Sequence, residues 1–114
     1  MPEVTSTFRR TPAYRYIRST DKLPRYDDTI DLRFDGIIAK VRLFNPTGIG
    51  TWFIATYDPH TDIAWGVVDL YCREVGSFSM RELLDYRGLF GLPIERDLHF
   101  RPVSIASLLS NGEH

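Results

Sequence analysis

The chain has 114 residues, a formal net charge of −1, 43% hydrophobic and 13% aromatic residues, and a single cysteine. A chain of this length makes one domain and can bury roughly two thirds of its unfolded surface without disulfide or metal staples. Cys72 has no partner for an internal disulfide, no apolar run approaches the ~20 residues that span a bilayer, and the first residues lack the apolar core of a signal peptide, so a soluble cytoplasmic protein without membrane contact is expected.

Charge is unevenly spread. Residues 1–26 carry Arg9, Arg10, Arg15, Arg18, Lys22 and Arg25 against Glu3 and Asp21, which leaves the rest of the chain mildly acidic. Residues 1–21 show no sustained hydrophobic period and contain Pro2 and Pro12, so they read as a basic arm ahead of a domain over 22–114. Phe8, Tyr14 and Tyr16 interleave with Arg9, Arg10, Arg15 and Arg18, the mix of stacking surface and charge used on single-stranded nucleic acid. Residues 1–25 are therefore a candidate nucleic-acid contact. The simpler reading is an arm that is solvated or docks on its own acidic body.

Leu23 to Asp28 is turn-rich. Ile30, Leu32 and Phe34 then alternate with Asp31, Arg33 and Asp35, a strand closed by the Asp35-Gly36 turn signal. Ile37, Ala39, Val41 and Leu43 alternate with Lys40 and Arg42, giving a half-buried strand. Asn45 to Gly50 is a Pro- and Gly-rich loop, and Thr51 to Tyr57 is the aromatic, β-branched strand that returns from it. After the turn Asp58–Asp62, Ile63 to Tyr71 is nearly continuous in apolar residues, which predicts an interior strand interrupted by Asp69. Ser79-Met80-Arg81-Glu82 is a capping box, with Ser79 at the N-cap and Glu82 three positions on. Met80, Leu83 and Leu84 supply that helix's apolar stripe, and Gly88 suits a left-handed cap at its end. Ile94 to Phe100 predicts a further long strand, stopped by Pro102, and Ser104 to Leu109 a short closing helix. This order predicts an α+β domain: an antiparallel sheet of about four strands with one or two short helices on one face.

On a strand from Ile94 to Phe100, Glu95, Asp97 and His99 share one face, and Arg101 continues the row. Two carboxylates and an imidazole can ligate a metal, and a carboxylate can orient an imidazole as a general base, so Glu95, Asp97, His99 and Asp69 are the candidate catalytic residues. Neighbours two apart on a strand are separated by roughly 7 Å, however, which makes a solvated polar face the simpler reading. Arg96 points to the apolar side and needs a partner there, and Asp69 is the predicted one, in a structural ion pair. Trp52 and Trp65 lie on neighbouring strands, as core residues or, if exposed together, as an aromatic binding patch. Gly48 to Thr51 lacks the Lys and following helix of a phosphate loop. No Cys/His cluster has zinc spacing and no dinucleotide fingerprint occurs, so neither a metal nor a cofactor is expected.

The segments LFNPTGIGTWF (43–53), YDP (57–59), DIAWGVVDL (62–70), EVGSFSMREL (74–83) and GLFGLPIERDLHF (88–100) resemble the small bacterial family called domain of unknown function 2958, over residues 22–102. The resemblance implies an accessory protein of plasmids, phages and integrated elements, often encoded near genes for DNA transfer or anti-restriction. It implies no established reaction and carries over no catalytic residue. Residues 1–21 look like an added segment. Three readings follow. The leading one is a non-enzymatic module that binds a host protein or protein complex, as an anti-CRISPR or anti-restriction factor does. The second is a small enzyme built on Glu95, Asp97 and His99, and the third a nucleic-acid accessory protein acting through the basic arm.

Overall fold

The computed structural model describes residues 16–25 and 36–110, so the expected strand Ile30–Phe34 and the arm residues Arg9, Arg10, Tyr14 and Arg15 lie outside the described residues. Among the described residues there are seven strands: Ile38–Ala39 (β1), Val41–Phe44 (β2), Thr51–Asp58 (β3), Ile63–Asp69 (β4), Arg73–Ser79 (β5), Glu95–Arg96 (β6) and Val103–Ser104 (β7). The helices are Met80–Asp85 (α1) and Ile105–Ser110 (α2). Five strands form an antiparallel sheet in the order β5-β4-β3-β2-β6, and β1 pairs with β7 in a separate ribbon. The α+β class and the antiparallel sheet are as the sequence predicts.

Alternation along β2, β3 and β4 sends apolar side chains to both faces of the sheet, and each face has its own core. On the first face Val41, Leu43, Ile54 and Ala64 pack with Met80 and Leu83 of α1 and with Tyr16, Ile17 and Ile94. On the second, Phe53, Ala55, Trp65 and Val67 pack with Ala39 and with Ile105 and Leu108 of α2. Each fully buried side chain of this size contributes about 1.5–3 kcal/mol. The helices therefore lie one on each face rather than together on one. The reason is that β3 and β4 are apolar on both sides, and neither side can be left wet.

β3 carries a bulge between Ile54 and Thr56, opposite Gly66 of β4. A Cβ at Gly66 would fall 1.8 Å from the Phe53 carbonyl oxygen, so the close approach of the two backbones needs glycine. Ser79 caps α1 as predicted, its Oγ accepting from the Glu82 backbone N–H at 3.2 Å. Gly88 does not cap it. The helix ends at Tyr86 in extended backbone, and Arg87 Nη1 donates to the carbonyls of Leu84 and Tyr86.

Several elements differ from expectation. The strand expected over Ile37–Leu43 is split at Lys40 into β1 of the ribbon and β2 of the sheet. Arg73–Ser79 is a full strand that pairs with β4 along its whole length, from Ile63↔Ser79 to Asp69↔Arg73. The strand expected over Ile94–Phe100 stops after Arg96. There the Asp97 Oδ1 accepts from the His99 backbone N–H at 2.9 Å, and the Asp97 carbonyl accepts from Phe100 N–H, which turns the chain away from the sheet.

Candidate functional site

The segment leading into the sheet is part of the body. Tyr16 is 2% exposed, and its hydroxyl donates to the Ile94 carbonyl at 2.9 Å. Arg96 Nη1 and Nη2 donate to the two carboxylate oxygens of Asp21, each at 2.8 Å, and Nη1 also donates to the Tyr16 carbonyl. The Arg96 and Asp21 side chains are only 16% and 10% exposed. Burial pushes the Asp21 carboxyl up, but the Arg96 hydrogen bond, the Arg18 backbone N–H and both positive charges more than offset it, so its pKa is lowered. Arg96 is thus paired with Asp21, not with Asp69. A residue 75 positions away supplies the partner because Asp69 lies on the other face, where it meets Arg73 Nε at 2.9 Å.

The described residues place Tyr16 in the core, where its ring is unavailable for stacking on a base, while Arg18 remains on the surface. Trp52 and Trp65 are not a joint patch. Trp52 packs on the α1 face and Trp65 on the α2 face, on opposite sides of the sheet. Cys72 is exposed in the turn between β4 and β5.

The shortening of the last long strand breaks up the predicted row. Glu95 stays on β6, exposed and opposite Phe44. Asp97 and His99 swing over the α2 face of the sheet and there meet Asp69. All three line a cleft of about 390 Å³, together with Arg42, Arg73 and Arg101. Its floor is aromatic: Phe53 and Phe100 stand 5.8 Å apart, centroid to centroid. The cross-strand register builds the rest. Arg42 lies opposite Phe53, and Asp69 sits between Thr51 and Arg73.

Two arginines approach the same ring, Arg73 at 5.1 Å and Arg42 at 5.9 Å from the Phe53 centroid. Arg42 Nη1 donates to Asp97 Oδ2 at 3.1 Å. Arg73 Nη1 donates to the Leu108 carbonyl at 3.0 Å, serving a carbonyl in the last turn of α2. Asp97 grips the His99 backbone, not its imidazole, so it does not orient that imidazole as a carboxylate-imidazole dyad would. No group of three or more His, Cys, Asp or Glu among the described residues could hold a metal ion.

A second surface lies at the end of the sheet where the Asn45–Gly50 loop meets the chain after α1. Asn45 Nδ2 donates both to the Ile49 carbonyl at 3.2 Å and to Tyr86 Oη at 3.3 Å, which ties the two loops together. Ile49, Tyr86, Leu89, Phe90 and Leu92 all expose their side chains there. Phe90 is in left-handed backbone, φ 62°, within the one-turn 3-10 helix Leu89–Gly91. In the sequence this surface is signalled only by an aromatic next to Gly91-Leu92-Pro93.

Sheet, clefts and exposed loops define a small α+β domain with a two-faced antiparallel sheet. By its sequence the chain belongs to the family described as protein of unknown function (DUF2958), whose model matches residues 28–111. The match reaches beyond the resembling motifs to take in α2. No curated protein and no solved structure matches the chain.

Proposed function

We propose that this protein is a non-enzymatic protein-binding module that docks a host protein through the apolar loops at the Asn45–Gly50 end of its sheet. Phe90 carries the reading. Its ring is 86% exposed beside Leu89 at 62%. A bulky residue in left-handed backbone costs about 1–3 kcal/mol. Gly88 N–H donates to the Leu92 carbonyl at 2.8 Å and Gly91 N–H to the Gly88 carbonyl at 3.0 Å, so the turn is pinned. Strain held in a pinned turn to present an aromatic ring to water has no return in stability. It fits a preorganised anchor of the kind that fills a partner's pocket. As to the kind of partner, we favour a component of a host defence system, bound in the cytoplasm in the manner of an anti-CRISPR or anti-restriction factor. That choice rests on the mobile-element setting the family resemblance implies.

The test is affinity purification from a bacterial host lysate with the full chain and a Leu89→Ser/Phe90→Ser variant. Both side chains point to water, so circular dichroism and Tm should match. The full chain should recover a stoichiometric host protein and the variant at least tenfold less, the loss typical of a truncated anchor. Equal recovery by both, or no stoichiometric protein with either, overturns the reading. Removing residues 1–14 leaves Tyr16, Ile17 and Asp21 in place and should not reduce recovery. A loss there would move the binding site to the basic arm.

A further inference from the structure

The cleft on the α2 face has donors that the fold does not use. Arg42 has five N–H groups and gives one, at 3.1 Å, to Asp97. Arg101 and the His99 imidazole make no hydrogen bond or ion pair with the described residues, yet both line the cleft. Among the described residues that line it, Arg42, Arg73 and Arg101 stand with Asp69 and Asp97, three guanidinium groups to two carboxylates. The donors come from separate segments: Arg42 from β2, Thr51 from β3, and His99 and Arg101 from the chain after β6.

We propose that this cleft is a binding site for a small phosphate-bearing molecule. Arginine forks match phosphate oxygens, and two of the guanidinium groups are each held by a single contact to a cleft carboxylate, Arg42 to Asp97 at 3.1 Å and Arg73 to Asp69 at 2.9 Å. A tetrahedral oxyanion presents oxygens to donors arriving from three directions, whereas a planar carboxylate satisfies only a fork on one side. The volume, about 390 Å³, exceeds what a bare ion fills and lies in the range of small-molecule sites. Phe53 and Phe100 give the body of such a molecule an apolar floor. The site stands apart from the Phe90 surface and does not depend on it.

The experiment is a 15N-NMR titration of the full chain at fixed ionic strength, in separate arms with inorganic phosphate, adenosine 5′-monophosphate and acetate. Saturable shifts should be confined to the amides of Arg42, Thr51, His99 and Arg101. The monophosphate should bind tighter than inorganic phosphate, and acetate should not saturate. Arg101→Gln should weaken phosphate binding at least tenfold without moving Tm, since Arg101 is exposed and makes no hydrogen bond or ion pair with the described residues, and Arg101→Lys should restore part of the loss. Equal binding of acetate overturns the phosphate assignment. Shifts scattered over all basic residues, no saturation with either phosphate, or an Arg101→Gln variant that binds as well as the parent overturns the site. Inorganic phosphate binding as tightly as the monophosphate shows a site for the ion alone and overturns the assignment to a larger molecule.

Discussion

In the Arg96–Asp21 clamp both carboxylate oxygens are matched by guanidinium nitrogens, and a backbone carbonyl takes a third bond. The cleft on the other face uses the same residue types differently. Its Arg42–Asp97 contact is a single 3.1 Å bond between side chains 32% and 27% exposed. The clamp is nearly sealed and spends three of the five Arg96 N–H groups, so it holds the leading segment to the sheet. The cleft is open and under-used, so its charges remain able to meet something else. Burial and the number of bonds made, more than the identity of the charged residues, separate the clamp from the cleft.

The largest expected effect breaks the sealed member. Arg96→Met leaves the Asp21 carboxylate buried without its partner and should cost about 3–5 kcal/mol, read as a lower urea midpoint at unchanged slope. If the loss is under 1 kcal/mol, the clamp is no stronger than a surface pair and the contrast with the cleft fails. The pH dependence sharpens the same point. Because the folded pKa of Asp21 lies below its ordinary 3.8, its contribution is present above that value and is lost as pH falls through the lowered one. The stability gap between the parent chain and Arg96→Met should therefore be flat at neutral pH and shrink on acidification below about pH 4, where the carboxyl takes up a proton in both. A gap independent of pH would assign the effect of Arg96 to packing alone.

What could be read in the sequence follows the range of the interactions. The hairpin β3–β4, the Asn45–Gly50 loop and the Ser79 cap are local, set by alternation, glycines and a four-residue motif. β5 was hidden because its Gly76 and the serines on either side of Phe78 blur the alternation, and because the Leu70–Cys72 turn lacks turn-forming residues. The end of β6 is hidden for the opposite reason. Ile94 to Phe100 alternates well, yet the Asp97 side chain captures the His99 N–H and ends the strand, an outcome that period alone does not show. The site was half legible. Asp69 stands out as a polar residue in an apolar strand, and Asp97, His99 and Arg101 as a polar row on one strand face. Arg42 and Arg73 join them only through cross-strand register, and the Asp21 partner of Arg96 only through a contact 75 residues apart in the chain.

The smallest expected effect tests the open member. Asp97→Asn keeps the oxygen that accepts from His99 N–H, so the turn survives, and the lost ion pair with Arg42 should cost less than about 1 kcal/mol, as for other partly exposed pairs. Its larger consequence is electrostatic. With one carboxylate removed, Arg42 is released and the cleft gains a net positive charge. Phosphate affinity should rise about two- to fivefold, the equivalent of roughly 0.5–1 kcal/mol of relieved competition. That combination, a nearly unchanged urea midpoint with a tighter phosphate titration, is the signature of charges held in reserve. A fall in affinity would mean that Asp97 is needed to aim Arg42, and the cleft pair would then be as integral to its surroundings as the clamp is to the core.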